Sequence, residues 1–173
     1  VFCGSRPGRS SAFAAAARAA GRGLAERGWA LLYGGGDVGL MGICADAALA
    51  AGGRVVGVIP QRLLEREVGK RGIAELLVTR TMFERKEIMI ERADGFLVLP
   101  GGLGTLDEIL EVITLRQLGY HDKPVVIVDV DGYWGPLAAM FERVVEAGYA
   151  DPSIRGLYRF VSSVEAGLAA LTD

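Results

Sequence analysis

Short apolar runs alternate along the chain with longer stretches in which apolar and polar residues recur at helical spacing. The runs are VFC at 1–3, WALLY at 29–33, VVGVI at 55–59, LLVT at 76–79, GFLVL at 95–99 and PVVIVDV at 124–130. They are continuous rather than alternating, which predicts strands buried on both faces. Helical spacing predicts helices at about 10–27, 39–51, 83–93, 105–118 and 135–147, with a last one near 164–171. Strand and helix in repetition predict an α/β fold, a parallel sheet of six to seven strands with helices on both faces. The stretch YRFVSS at 158–163 supplies the seventh strand, at an edge. Residues 60–75 are charged and lack a clear period, and read as a loop or short helix above the sheet. No internal repeat or low-complexity tract divides the chain, so residues 1–173 read as one domain.

Composition narrows the function classes. With 51% hydrophobic and 23% charged residues, 173 residues suffice for one domain with a full core. A net charge of −2 and a pI near 5.5 remove the usual electrostatic case for nucleic-acid binding, so an anionic ligand must be held by a local site. Cys3 and Cys44 show no CxxC spacing and are expected as reduced, half-buried thiols. No charged-then-apolar leader precedes Val1, and no apolar run reaches the roughly twenty residues that a bilayer requires. The expectation is a cytoplasmic protein without a membrane partner.

In open parallel sheets ligands bind beyond the carboxyl ends of the strands. Every glycine cluster falls at such an end: Gly4, Gly34 to Gly36, and Gly101 to Gly104. In LPGGLGTLDEI, residues 99–109, a glycine turn enters a predicted helix, where free N–H groups and the positive end of the helix dipole favour an anion. Thr105 and Glu108 also form T-x-x-E, a capping box, so the acid there is either a cap or a chemical group beside a bound anion. Upstream, TMFERKEIM places Arg85 and Lys86 near the start of a helix, as a solvated surface pair or as cations meeting the anion site. GGGDVG at 34–39 matches G-x-G-x-x-G formally, but no carboxylate closes the next strand, so a tight turn permitting close approach is expected rather than a nicotinamide site. There is no P-loop, no G-x-S-x-G elbow, and a single histidine, His121, in a turn, so no zinc site is expected.

These motifs together resemble a known family. VFCGS, YGGGDVGLMG, GVIP, MFERK, LPGGLGTLDE, EVIT, QLG and KPVVIVDVDGYW occur in the order seen in the LONELY GUY (LOG) proteins. These are cytokinin riboside 5'-monophosphate phosphoribohydrolases, often mislabelled lysine decarboxylases. The resemblance covers nearly the whole chain. It implies a modified Rossmann fold and hydrolysis of the N-glycosidic bond of an N6-substituted AMP, giving the free base and ribose 5-phosphate. AMP itself is a further candidate substrate; no cofactor and no metal are implied, and a homodimer is. Carried over position by position, Gly101, Gly102, Leu103, Gly104 and Thr105 hold the 5'-phosphate, and Arg85 and Glu108 are the catalytic pair. Lys86, Glu67, Met82 and Thr114 line the nucleotide pocket, with Gly34, Gly35 and Ser5 as further substrate-binding positions. Three departures bear on base specificity: SRPG in place of a second serine after CGS, Phe83 where histidine is common, and LRQLG without a frequent tryptophan.

The implied chemistry gives both parts of the 99–109 stretch a use. Breaking a ribosyl C–N bond builds positive charge on the sugar, which a nearby carboxylate stabilises, while the phosphate anchors the ribose. The alternative is a non-catalytic nucleotide or molybdenum-cofactor carrier with similar glycine loops. A carrier needs no carboxylate beside a bound phosphate, so Arg85 together with Glu108 favours the enzyme. Nothing marks a Schiff-base lysine for a decarboxylase.

Overall fold

The computed structural model describes residues 1–65 and 69–172. Its elements run α1 (Ser11–Glu26), β1 (Leu31–Tyr33), α2 (Gly39–Ala50), β2 (Val55–Pro60), α3 (Gln61–Leu64), β3 (Glu75–Thr79), α4 (Met82–Arg92), β4 (Phe96–Val98), α5 (Leu103–Gln117), β5 (Val125–Val128), α6 (Gly135–Glu146), β6 (Arg159–Val161) and α7 (Val164–Ala169). Every helix predicted from spacing is present within a few residues of its expected bounds. YRFVSS contains the edge strand β6, and 60–75 contains the short α3.

All strand pairs are parallel, in two three-stranded sheets ordered β1-β2-β3 and β4-β5-β6. This corrects the expectation of one sheet of six to seven strands. The reason lies in VFC at the seam between the halves. Val1 N donates to Leu32 O (2.6 Å) on one side; Phe2 N donates to Leu97 O (3.0 Å) and Leu99 N to Phe2 O (2.9 Å) on the other. Phe2 thus forms only an isolated bridge with Val98, too short a ladder to make a strand that fuses the sheets.

Helices cover both faces. Along β4 and β5, side chains alternate with period two. Leu97, Val126 and Val128 join a cluster with Ala17 and Ala20 of α1, Cys44 of α2 and Leu168 of α7. Phe96, Val98, Val125 and Ile127 join a second cluster with Met89 of α4, Ile109 and Val112 of α5 and Phe141 of α6. Cys3 and Cys44 are free and fully buried rather than half-buried, and burial pushes both thiols up, well away from a reactive thiolate. His121 is less solvated than its turn suggested: its Nε2 pairs with Val112 O (2.9 Å) and its Nδ1 accepts from Lys123 N (3.2 Å). Among the described residues no helix is long and apolar enough to cross a membrane.

The helix starts decide the capping question. α5 begins at Leu103 with Gly102 as its N-cap and no side-chain cap, so Thr105 lies inside the first turn and T-x-x-E at 105–108 is not a capping box. The pattern does operate at α4, where Thr81 Oγ1 accepts from Glu84 N (3.0 Å) and Glu84 Oε2 accepts from Arg80 N (2.8 Å). Glu108 is therefore released from helix capping, and α4 starts at a fixed place.

Candidate active site

The carboxyl ends of β1 and β4 and the loop after β5 enclose a cleft of about 710 Å³. Its wall on one side is the entry to α5: Pro100, Gly101, Gly102, Leu103, Gly104 and Thr105. This helix has no acidic residue in its first turn, so its leading N–H groups and dipole face the cleft without an internal counter-charge. A Cβ on Gly102 or Gly104 would meet nothing within 4 Å. The packing of the chain itself thus gives no reason for glycine at these two positions, whereas an anion seated on the backbone does. Gly101 differs, because a Cβ there would lie 2.1 Å from Thr105 Oγ1.

On the floor of the cleft, one turn further along α5, Glu108 faces Arg85 from α4. Arg85 Nη2 stands 4.0 Å from Glu108 Oε1, and both side chains are less than 10% exposed. Arg85 is fixed independently of the acid: its Nε donates to Val58 O (3.0 Å) and its Nη2 to Gly34 O (3.1 Å). The cation thereby hangs from β2 at Val58 and from Gly34 just after β1, while the acid rides on the helix after β4. Burial pushes the Glu108 pKa up to about 7, and the Arg85 charge holds it from rising further. A carboxyl in that range exchanges protons at physiological pH, a property expected of a working acid or base rather than of a structural one.

The other sequence-predicted residues divide. Ser5, Gly34 and Met82 line the cleft together with Arg85, Glu108 and the 101–105 loop. Gly35 does not; it is buried behind the cleft with φ 75°, and a Cβ there would come within 3.0 Å of Ile59 Cβ. Lys86 turns away, pairing with Asp107 Oδ2 (3.0 Å) and Glu111 Oε2 (3.0 Å) across the α4–α5 contact. Thr114 lies exposed on the outer face of α5. Glu67 falls outside the described residues. Cleft residues that sequence reasoning passed over include Arg6, Phe13, Leu63 and Tyr133. The glycine and serine residues at 4–10, which follow the first apolar run, marked Arg6, whereas Phe13 lies beyond them on α1. Tyr133 falls within the motif KPVVIVDVDGYW, but nothing in that motif shows that its ring reaches the cleft.

The chain has three lysines, Lys70, Lys86 and Lys123. Burial works to lower the first two, but paired carboxylates outweigh it and hold both ammonium groups above their ordinary range. Lys123 donates to the carbonyls of Ile90 and Glu91. A Schiff-base lysine needs the opposite, a depressed pKa at the substrate site. Among the described residues no cluster of His, Cys, Asp or Glu is arranged to hold a metal.

Comparison with known proteins bears on this geometry. The family model described as "Possible lysine decarboxylase" matches residues 41–171. The chain is 44% identical over 170 residues to the cytokinin riboside 5'-monophosphate phosphoribohydrolase of Mycobacterium tuberculosis, covering 98% of this chain and 90% of that one. It is 40% identical over 173 residues to a protein of the same name from Arabidopsis thaliana, covering 100% and 81%. The solved molybdenum cofactor carrier protein of Chlamydomonas reinhardtii matches with a TM-score of 0.71 at 24% identity, over 94% of this chain and 88% of that one. That last likeness is one of fold alone.

Proposed function

This chain belongs to the LONELY GUY family, and from that premise we propose that it hydrolyses the N-glycosidic bond of an N6-modified AMP, releasing the free base and ribose 5-phosphate. The observation that carries the proposal is the pairing on one helix of an uncapped N-terminus at Gly102–Thr105 with a buried acid, Glu108, one turn away and 4.0 Å from Arg85. A phosphate on the first feature sets the ribose over the second. As the C–N bond breaks, its electron pair leaves with the base and positive charge grows on the sugar. Ionised Glu108 stabilises that charge and takes a proton from the water whose oxygen bonds to the anomeric carbon, and that proton passes on to the departing base, which leaves neutral and restores the carboxylate. Arg85, held by two backbone carbonyls, keeps Glu108 oriented and ionisable. No cofactor enters these steps.

We assign the 5'-phosphate to Gly101, Gly102, Leu103, Gly104 and Thr105, with Ser5, Gly34 and Met82 at the walls. Residues 1–173 act as one domain in the cytoplasm, as a homodimer. Self-association is supported by the exposed apolar residues Leu103 and Leu110 of α5 and Leu118 just past its end, with Phe83 of α4 also exposed. Light scattering at micromolar concentration tests it, a dimer mass being expected.

The activity is tested by release of base from N6-isopentenyl-AMP, AMP and the matching riboside, with wild type and Glu108→Gln. Cleavage of the monophosphate but not the riboside, lost on the order of a hundredfold or more in the variant, is the expected result. Nucleotide binding without cleavage by either protein would instead make the chain a carrier.

A further inference from the structure

The turn after β5 is held more firmly than a surface loop requires. Asp131 has φ 54°, the one positive value at a non-glycine residue among those described. Such a conformation persists where surroundings impose it. Here Asp131 Oδ2 accepts from Ser10 Oγ (2.9 Å), and Asp129 Oδ1 accepts from Trp134 N (2.6 Å). Trp134 is buried in the core under α5 and α6. Between these two ties stands Tyr133, its ring edge-on to Phe13 of α1 (5.5 Å, 72°) and to Trp134 (4.8 Å, 79°). The ring is thus clamped from two sides, and its hydroxyl donates to the carbonyl of Gly101.

That bond completes a series. Pro100 O accepts from Gly4 N (3.0 Å), Gly101 O from Tyr133, and Gly102 O from Leu106 N (3.0 Å). Three successive carbonyls at the mouth of α5 are each held. A trans peptide is planar with its N–H opposed to the preceding C=O, so holding the carbonyl aims the N–H. Tyr133 holds the plane that carries the N–H of Gly102, and the flanking bonds hold those of Gly101 and Leu103.

We infer that Tyr133 is a positioning residue of the anion site, fixing the Gly101–Gly102 peptide so that the entry to α5 presents preformed N–H donors to a phosphate. The inference rests on the phosphate reading given above. Asp131, through Ser10, keeps the tyrosine in place.

The test is Tyr133→Phe, which keeps the ring contacts and removes one hydroxyl. Calorimetry with inorganic phosphate and with ribose 5-phosphate is compared with steady-state kinetics on N6-isopentenyl-AMP and with binding of N6-isopentenyladenine. Loss of one ordering hydrogen bond should weaken both phosphate ligands and raise KM roughly five- to tenfold. The kcat, the affinity for the free base and the melting temperature should stay as in wild type. Unchanged phosphate affinity would overturn the assignment, as would a loss confined to kcat or to base binding. Wild-type protein that binds neither phosphate nor ribose 5-phosphate would remove the anion site itself, and with it the proposed function.

Discussion

The guanidinium of Arg85 occupies the space in which residue 34 would carry a side chain: a Cβ built on Gly34 would lie 1.9 Å from Arg85 Nη2. The glycine that follows β1 therefore leaves room for an arginine that arrives 51 positions later in sequence. Gly34→Ala should push the guanidinium off Gly34 O and away from Glu108. A displacement near 1 Å at a reacting pair is worth about a hundredfold in rate, so kcat/KM on N6-isopentenyl-AMP is expected to fall by about that factor.

Arg85→Lys conserves charge and should still fail. An ammonium is a point charge that lacks the planar fork needed to reach Val58 O and Gly34 O together while facing Glu108. We expect a loss in kcat approaching that of Arg85→Met, and a lower melting temperature in both because buried carbonyls lose their donor. Near-wild-type kcat in the lysine variant would mean that charge alone is used.

The Glu108 carboxyl gives two pH signatures with one origin. With the ionised form active, kcat/KM should rise with pH through an apparent pKa near 7 and lack that limb in Glu108→Gln. Stability runs the other way. A carboxyl whose pKa is raised on folding binds more protons in the folded state. Its contribution is fully present below the ordinary value of 4.5 and is lost as pH rises through about 7. The glutamine variant should therefore gain stability relative to wild type between pH 5 and pH 8, by on the order of 3 kcal/mol at most. Chemical denaturation at both pH values measures it, and an equal difference at both would show that Glu108 does not titrate there.

Adjacent glycines in the 101–104 loop should separate binding from folding. Gly102→Ala places a methyl in open space, so its melting temperature should match wild type while phosphate affinity drops. Gly101→Ala drives a methyl into Thr105 Oγ1 and should lose both. Thermal melts with and without ribose 5-phosphate distinguish the two.

Much of the fold was legible because continuous apolar runs and helical spacing follow directly from burial on two sheet faces. YRFVSS became β6 as expected. What the sequence hid were matters of distance. VFC looks like the other runs, yet it makes one bridge and leaves two sheets, because ladder length depends on where the partner strands end. T-x-x-E occurs at 81–84 and at 105–108 and caps only at the first, since the N-cap of the second helix is Gly102, three residues before Thr105. Arg85 and Lys86 are neighbours in sequence and diverge by about 100° around α4, one to the cleft and one to Asp107 and Glu111. Tyr133 reaches Gly101 across 32 positions, a relationship without any local pattern.

The seam between the two sheets gives the Arg85–Glu108 contact a mechanical meaning. The cation is tethered to one half, through Val58 and Gly34, and the acid belongs to the other, through α5. At the seam Val1 bonds to β1 of one half and Phe2 to β4 of the other. The 4.0 Å separation is in effect a gauge of how the halves are seated against each other. A chain severed in the 93–95 link between α4 and β4 would carry half of the reactive pair on each fragment, and catalysis would return only as the fragments lock back into alignment.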